Sequence, residues 1–220
     1  NVFVFGSTNN KNYLTKNYIN INFPSINSRF YSTTKEYSKR IIIKLKKSHY
    51  DIIELHNRPI MVSDFIKKIN SKIILYFHND PRTMKGAKTV SDRIILLNSV
   101  DKIIFISNWV KRKFFEGLPN FSDNKTQVIY HSIDPVTKNT KKNKQIIFVG
   151  KLNKSKGYDL FCKALFPILD KHTDWKAISI GDEKRFQHYN THKKHINLGQ
   201  ISHKKVLNFL SKSAISAHTI

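Results

Sequence analysis

The sequence predicts an α/β protein of two doubly wound parallel-sheet domains, the second of them incomplete. Three features predict it. Short unbroken apolar runs recur along the chain, helix-length amphipathic segments separate them, and one polar, lysine-rich stretch divides the alternation in two.

The runs are "VFVF" (2–5), "DIIEL" (51–55), "KIILYF" (72–77), "KIIFI" (102–106), "QVIY" (127–130), "QIIFV" (145–149) and "KAISI" (176–180). Each is short, rich in β-branched or aromatic residues and continuous, the pattern of strands covered on both faces of a parallel sheet. Between them lie "TTKEYSKRIIIKLKK" (33–47), "VSDFIKKI" (62–69), "TVSDRIILLNSV" (89–100), "SNWVKRKFFEGL" (107–118) and "SHKKVLNFLSKS" (202–213), all of helical length, with Ser107 placed to cap the helix that starts at Asn108. Strand, helix and strand in alternation indicate βαβ units with right-handed crossovers. The stretch "DPVTKNTKKNKQ" has Val136 as its only aliphatic side chain and reads as a linker. The boundaries are then 1–134 for the first domain, 135–144 for the linker and 145–220 for the second, which is short for a complete doubly wound domain. Residues 6–34, rich in Asn, Ser, Thr and Lys, give no readable element.

Composition bounds the function. The chain has 220 residues, and 39 Lys and Arg against 15 acids give a formal charge of +24. Such an excess suits a nucleic acid or an anionic membrane, but the lysines are scattered through a chain biased toward Lys, Asn and Ile, as a solvated basic surface would be. The aromatics fall inside apolar runs instead of alternating with basic residues, so a base-stacking platform is not visible and no nucleic acid is expected as partner. The segment "KRIIIKLKK" (39–47) could lie at a membrane interface or pack as an ordinary helix on a sheet. With Cys162 as the one cysteine there is no intrachain disulfide and no cysteine zinc cluster, and its helical setting makes it a small core residue. No apolar run reaches the roughly 18–20 residues that a spanning helix needs.

The chemistry-bearing pattern is "IIFVGKLNKSKG" (146–157). In a parallel sheet, ligands bind beyond the carboxyl ends of the strands, where the following helices begin. Gly150 stands there, able to admit a ligand close to the backbone or to take a positive φ. Gly157 opens the next helix, with Ser155 as a candidate N-cap and Leu160, Phe161, Ala164 and Leu165 as its apolar stripe. A helix start carries unsatisfied N–H groups and partial positive charge, so Lys151 and Lys156 on its two sides can converge on one anion. Four of the seven glycines, Gly150, Gly157, Gly181 and Gly199, lie in the last third, three of them directly after apolar runs, which suggests one shared cleft. The other reading is that both lysines are solvated and the glycines merely end strands. No GxGxxG, Walker GxxxxGK[ST] or DxD motif occurs, so standard dinucleotide, P-loop and metal-bridged diphosphate sites are not indicated.

Those residues bring a family into view. "IIFVGKLNKSKGYDLFCKAL", "DWKAISIGDEK" and "INLGQISHKKVLNFLSKSAI" resemble the second domain of retaining GT-B glycosyltransferases of family four, and "LYFHNDPRTMKGAKTVSDRIILLNSVDKIIFISNWVKRKFF" resembles the last third of their first domain. The resemblance covers about residues 50–217 and implies two Rossmann-like domains in the GT-B arrangement. It makes Gly150, Lys151, Lys156 and Gly157 the donor diphosphate site, Lys151 standing where the family has an arginine and so lacking its planar fork. Gly181 and Gly199 would border the nucleotide. His78 would be the catalytic residue beside the transferred sugar or the acceptor, with His56, Asn57, Asn79 and Asp80 on the acceptor side. A structural or helix-capping role for the His-Asn-Asp group stays open. At the hinge, where the family often shows Asn-Gly, this chain has His131 and Ser132.

The function implied by the resemblance is metal-independent transfer, with retention, of a sugar from a UDP- or GDP-sugar to a cell-envelope glycan or lipid-linked acceptor, as in lipopolysaccharide or other polysaccharide synthesis. No cofactor is expected. A nucleotide-sugar epimerase or hydrolase of the same fold and a basic nucleic-acid binder are the alternatives. The expected location is the cytoplasm, with peripheral contact to an anionic membrane as an option. The family's acidic E-x7-E segment should begin about where "SKSAISAHTI" stops, so the chain is expected to be a fragment truncated at both ends and inactive as it stands.

Overall fold

A computed structural model describes residues 1–7, 16–22, 33–119, 124–133, 140–182 and 192–218. They form two compact units, Asn1–Ser132 and Ile133–Ile220. Residues 135–139, half of the expected linker, lie outside the described residues. Its last two, Asn143 and Lys144, begin a strand instead.

The first unit holds strands β1 (Val4–Gly6) and β2 (Tyr18–Asn20), helix α1 (Thr33–Leu45), β3 (Ile52–His56), α2 (Val62–Ile66), β4 (Lys72–Phe77), α3 (Val90–Ser99), β5 (Lys102–Phe105), α4 (Asn108–Phe115) and β6 (Thr126–Val128). β3, β4, β5 and β6 form a parallel sheet in that order, while β1 and β2 pair with each other in a separate parallel ladder. Burial follows position in the sheet. Ile103, Ile104 and Phe105 of central β5 are all buried, whereas edge strand β3 alternates, burying Ile53 and Leu55 and exposing Ile52. The expected two-sided burial therefore fails at the edge, where among the described residues β3 pairs with β4 alone. Phe77, Phe105 and Phe114 pack at ring distances of 5.2–5.9 Å at the centre of this core.

Local chemistry sets the helix starts. Thr89 and Asp92 form a reciprocal capping box on α3, and the Ser107 hydroxyl accepts the Val110 N–H on α4, as expected. α1 buries Ile41, Ile42 and Leu45 in the core and leaves Lys39, Lys44, Lys46 and Lys47 outside. Its apolar face is thus occupied by its own unit, which answers the interfacial reading of "KRIIIKLKK".

The second unit holds β7 (Asn143–Val149), α5 (Tyr158–Lys171), β8 (Lys176–Ile180), β9 (His195–Asn197), α6 (His203–Lys212) and β10 (Ser213–Ala217). The sheet order is β10-β7-β8-β9, all parallel. Successive residues of β7 face opposite layers. Ile146 and Phe148 pack with Phe161, Cys162 and Leu165 of α5, and Ile147 packs with Ile178, Ile180 and the half-buried Val206, Phe209 and Leu210 of α6. A helix layer on each face is what makes the run "IIFV" unbroken. Cys162 is fully buried in this core, and burial pushes its thiol pKa up.

Two sequence expectations about α5 are corrected. Its buried face is Tyr158, Phe161, Cys162, Leu165 and Leu169, while Leu160 and Ala164 are exposed. At 3.6 residues per turn, Leu160 lies about 200° round the helix from Tyr158 and faces solvent. The N-cap is Gly157, at φ 63°, and not Ser155, whose hydroxyl donates to Asn153 Oδ1 at 2.8 Å.

Candidate functional site

β7, β8 and β9 run in one direction across the second sheet, and the chain then crosses back to set β10 against the other side of β7. That reversal is a topological switch point, where adjacent loops part and leave a crevice at the carboxyl ends of the strands. Gly150 ends β7 there. Its N–H donates to the Ile180 carbonyl at 2.9 Å, and the Gly181 N–H donates to the Gly199 carbonyl at 2.9 Å. Three of the four glycines singled out by sequence therefore line up along one sheet edge.

Each of the three is a glycine for a different reason. Gly181 has φ +141°, and a β-carbon there would lie 1.8 Å from the Gly150 carbonyl oxygen, so nothing larger fits. Gly199 has φ +62° and open space around it. Gly150 has no positive φ, and its β-carbon would meet only the Phe148 ring at 3.5 Å, an ordinary contact. Its lack of a side chain is not forced by local packing.

The loop from β7 to α5 is held from below. Leu152 is fully buried, and the buried Asn153 accepts two N–H groups on its carbonyl, from Lys156 at 3.1 Å and Tyr158 at 3.2 Å. A 3-10 turn over Lys154–Lys156 runs into Gly157 and α5. Lys151 and Lys156 are exposed on this loop at the head of α5. Asn153 was not singled out by sequence, since an Asn in a polar loop gives no hint that its carbonyl organises the turn.

The first unit gathers a second constellation at the carboxyl edge of its sheet. His56 ends β3, His78 follows β4, and His131 follows β6 after two residues. His56 Nδ1 lies 2.9 Å from His78 Nε2, and His78 Nδ1 lies 3.1 Å from His131 Nε2. Glu54 Oε2 stands 3.4 Å from His56 Nε2, and the His56 ring stacks on Tyr76 at 4.5 Å. Burial first, then the neighbouring His56 and His131 rings, pull the His78 pKa below the ordinary imidazole value. His78 uses its two nitrogens on two different partners, so the rings form a line rather than converging. Among the described residues no group of three His, Cys, Asp or Glu is arranged to hold a metal ion.

The other expected acceptor-side residues divide. Asn57, at φ 53°, accepts the His78 backbone N–H on its side-chain oxygen at 2.8 Å and so positions His78. Asn79 is exposed. Asp80 caps the turn Pro81–Thr83 and binds the Arg82 guanidinium through both carboxylate oxygens, and Arg82 also pairs with Glu116. The hydrogen bond from Arg82 holds the Asp80 carboxyl below its usual range. Asp80 is therefore a structural anion here, the capping alternative.

Residues 131–220 match the family model described as glycosyl transferases group 1. The chain is also 29% identical over 167 residues to "Putative glycosyltransferase YtcC" of Bacillus subtilis (strain 168), a match covering 67% of this chain and 40% of that protein. The chain thus spans about two fifths of the length of the curated relatives it matches. Among solved structures, a glycosyltransferase from Rickettsia africae ESF-5 superposes with a TM-score of 0.57 at 20% identity, covering 90% of this chain and 58% of that one. The pneumococcal O-GlcNAc transferase GtfA, solved with UDP and GlcNAc, superposes with a TM-score of 0.61 at 11% identity, covering 83% of this chain and 40% of that one. At these identities the likeness shows a shared fold, mixed α/β with parallel sheets as in Rossmann-like glycosyltransferases. The group 1 match contains the whole glycine edge, both lysines and His131.

Proposed function

We propose that the protein is a glycosyltransferase. It moves a sugar from a UDP- or GDP-sugar to a glycan or lipid-linked acceptor of the cell envelope, with retention at the anomeric carbon. The observation that carries this reading is the edge of the second sheet, where Gly150, Gly181 and Gly199 stand in a row beside a loop carrying Lys151 and Lys156 at the head of α5.

In this reading the donor diphosphate lies over Gly150 and Gly157 near the start of α5, whose first N–H groups have no partner within the helix. Lys151 and Lys156 take up the negative charge that grows on the diphosphate as the sugar–phosphate bond breaks. Preorganised cations do this without a metal, and lysine supplies the charge as a point rather than a bidentate fork. Gly181 and Gly199 border the nucleotide. His78, positioned by Asn57, meets the sugar or acceptor hydroxyls at the edge of the first unit. The basic surface is available to an anionic membrane carrying a lipid-linked acceptor. Among the described residues no helix is long and apolar enough to cross a membrane.

Calorimetric titration of UDP, GDP and their sugars into the protein and its Lys151→Ala, Lys156→Ala double variant tests the reading. Binding of one nucleotide, lost in the double variant, is the expected result and names the donor class. A folded protein that binds none of them overturns it.

A further inference from the structure

β9 is a thinly covered strand at the edge of the second sheet. It has three residues, pairs among the described residues with β8 alone, and leaves Ile196 and Asn197 exposed. Yet it leads directly to Gly199, whose carbonyl accepts the Gly181 N–H at 2.9 Å. So short an edge strand needs inward side chains to fix its register.

The side chains at its two ends point inward. Leu198 packs on the layer of Ile147, Ile178 and Ile180. His195 enters the other layer, where the rings of Phe161, Phe166 and Tyr158 lie 6.0, 6.2 and 6.3 Å from its imidazole. Its Nε2 stands 2.7 Å from the Oγ of Ser179, a fully buried hydroxyl that also shares a hydrogen bond with the Tyr158 hydroxyl. Ser179 holds the strand a second time, its carbonyl accepting the Leu198 N–H at 2.9 Å. Tyr158 is the residue after Gly157. A buried polar chain of Tyr158, Ser179 and His195 therefore runs from the head of α5, across β8, to the start of β9.

We propose that His195 is a positioning residue for the nucleoside half of the donor site, holding β9, and with it Gly199, in place against β8. The proposal rests on the reading in which Gly199 borders the nucleotide and Gly150, Lys151 and Lys156 take the diphosphate. The diphosphate half has supports of its own, the buried Leu152 and the Asn153 carbonyl, so loss of His195 divides the two halves. The titratable and charged groups around this polar chain come from three elements. α5 supplies Tyr158 and Cys162, and burial raises both pKa values, Tyr158 to about 12, so neither carries charge near neutrality. The turn before β9 supplies His192, paired with Asp170 of α5 at 3.1 Å, and Lys194, whose ammonium donates to the Leu169 carbonyl at 3.0 Å. β8 supplies Ser179. Burial and then His192 pull the His195 pKa below its ordinary value. The ordered strand thus favours neutral His195, and its hold weakens as pH falls from 6.5 through the lowered value.

Amide hydrogen exchange and calorimetry on the whole chain test the proposal. In His195→Ala the amides of Leu198 and Gly181, which bond the Ser179 and Gly199 carbonyls, should exchange at least about fivefold faster, while those of Gly150 and Phe161 keep their wild-type rates. UDP should bind at least about fivefold more weakly, and inorganic pyrophosphate, the probe of the diphosphate half, as in the wild type. His195→Gln retains a hydrogen-bonding amide toward Ser179 and should restore both exchange and UDP binding at pH 8. Below pH 6.5 the wild type should lose UDP affinity relative to His195→Gln, the phosphate of the nucleotide titrating equally in both. Unchanged exchange at Leu198 and Gly181, or equal acceleration at Gly150 and Phe161, overturns the positioning role. Equal losses of UDP and pyrophosphate, or parallel pH profiles for the wild type and His195→Gln, overturn its restriction to the nucleoside half. A wild type that binds no UDP refutes the donor-site reading instead, and the exchange pattern then decides by itself whether His195 holds β9.

Discussion

Replacing Gly181 by alanine asks the glycine edge to accept one carbon. That carbon would sit 1.8 Å from the Gly150 carbonyl oxygen and 2.8 Å from its carbonyl carbon, both backbone atoms that cannot rotate aside. The residue would also hold φ +141°, a conformation costing a side chain about 1–3 kcal/mol. Forcing β7 and β8 apart adds about 1–3 kcal/mol of overpacking. The sum, about 2–6 kcal/mol, is a large share of the roughly 5–15 kcal/mol that holds a domain folded. For a domain the size of the second unit, each kcal/mol moves Tm by about 4–8 °C, so a drop of at least about 8 °C is expected. Gly150→Ala is the control. Its added carbon meets only the Phe148 ring, at 3.5 Å, and should change stability by less than about 1 kcal/mol. Thermal melts followed by circular dichroism, paired with UDP titration, separate the two. Gly181→Ala should melt early, while Gly150→Ala should melt normally and bind UDP at least about tenfold more weakly. If Gly181→Ala melted within about 3 °C of the wild type, or Gly150→Ala proved equally damaging, the packing argument would fail.

Three further outcomes are expected. Arg93 is buried and donates to the carbonyls of Ala87, Lys88 and Glu116, so Arg93→Ala should cost about 3 kcal/mol, read as a lower urea midpoint with an unchanged slope. Thr89→Ala removes one arm of the α3 capping box and should cost about 1 kcal/mol in the same assay. His195, paired with the Ser179 hydroxyl at 2.7 Å, has its pKa lowered first by burial and then by His192. The unfolded chain therefore binds a proton near the ordinary value of 6.5 before the folded chain does, and stability should fall as pH drops from 6.5 through the lowered folded value. Urea midpoints of His195→Gln should depend less on pH across that window than those of the wild type. Parallel curves would show that His195 does not contribute.

Much of the fold was legible in the chain because it is encoded locally. A run such as "KIILYF" is apolar and β-branched because layers cover it, and "TVSD" announces a helix start through its own capping groups. Strands β2 and β9, of three residues each, and β10, "SAISA", passed unread. They are short or weakly apolar, and what makes them strands is pairing with partners far along the chain, such as the buried hydrogen bond from Gln145 to Ser213. The buried face of α5 was misread for a related reason. Both faces carry leucines, and only the layer it packs on decides which is inside.

The candidate site divides along the same line. Gly150, Lys151, Lys156 and Gly157 lie within one short loop, so spacing alone could place them together at a strand's end. His131 is 53 residues from His78, and Asp80 is drawn away by Arg82, outcomes set by where parallel strands end side by side. Sequence by itself determined the alternation of strands and helices and the glycine- and lysine-bearing loop from β7 to α5, since both depend on neighbours along the chain. Strand order, the glycine row across β7, β8 and β9, and the meeting of His56, His78 and His131 were decided only by the tertiary structure, because each depends on contacts between residues that the chain brings together from far apart.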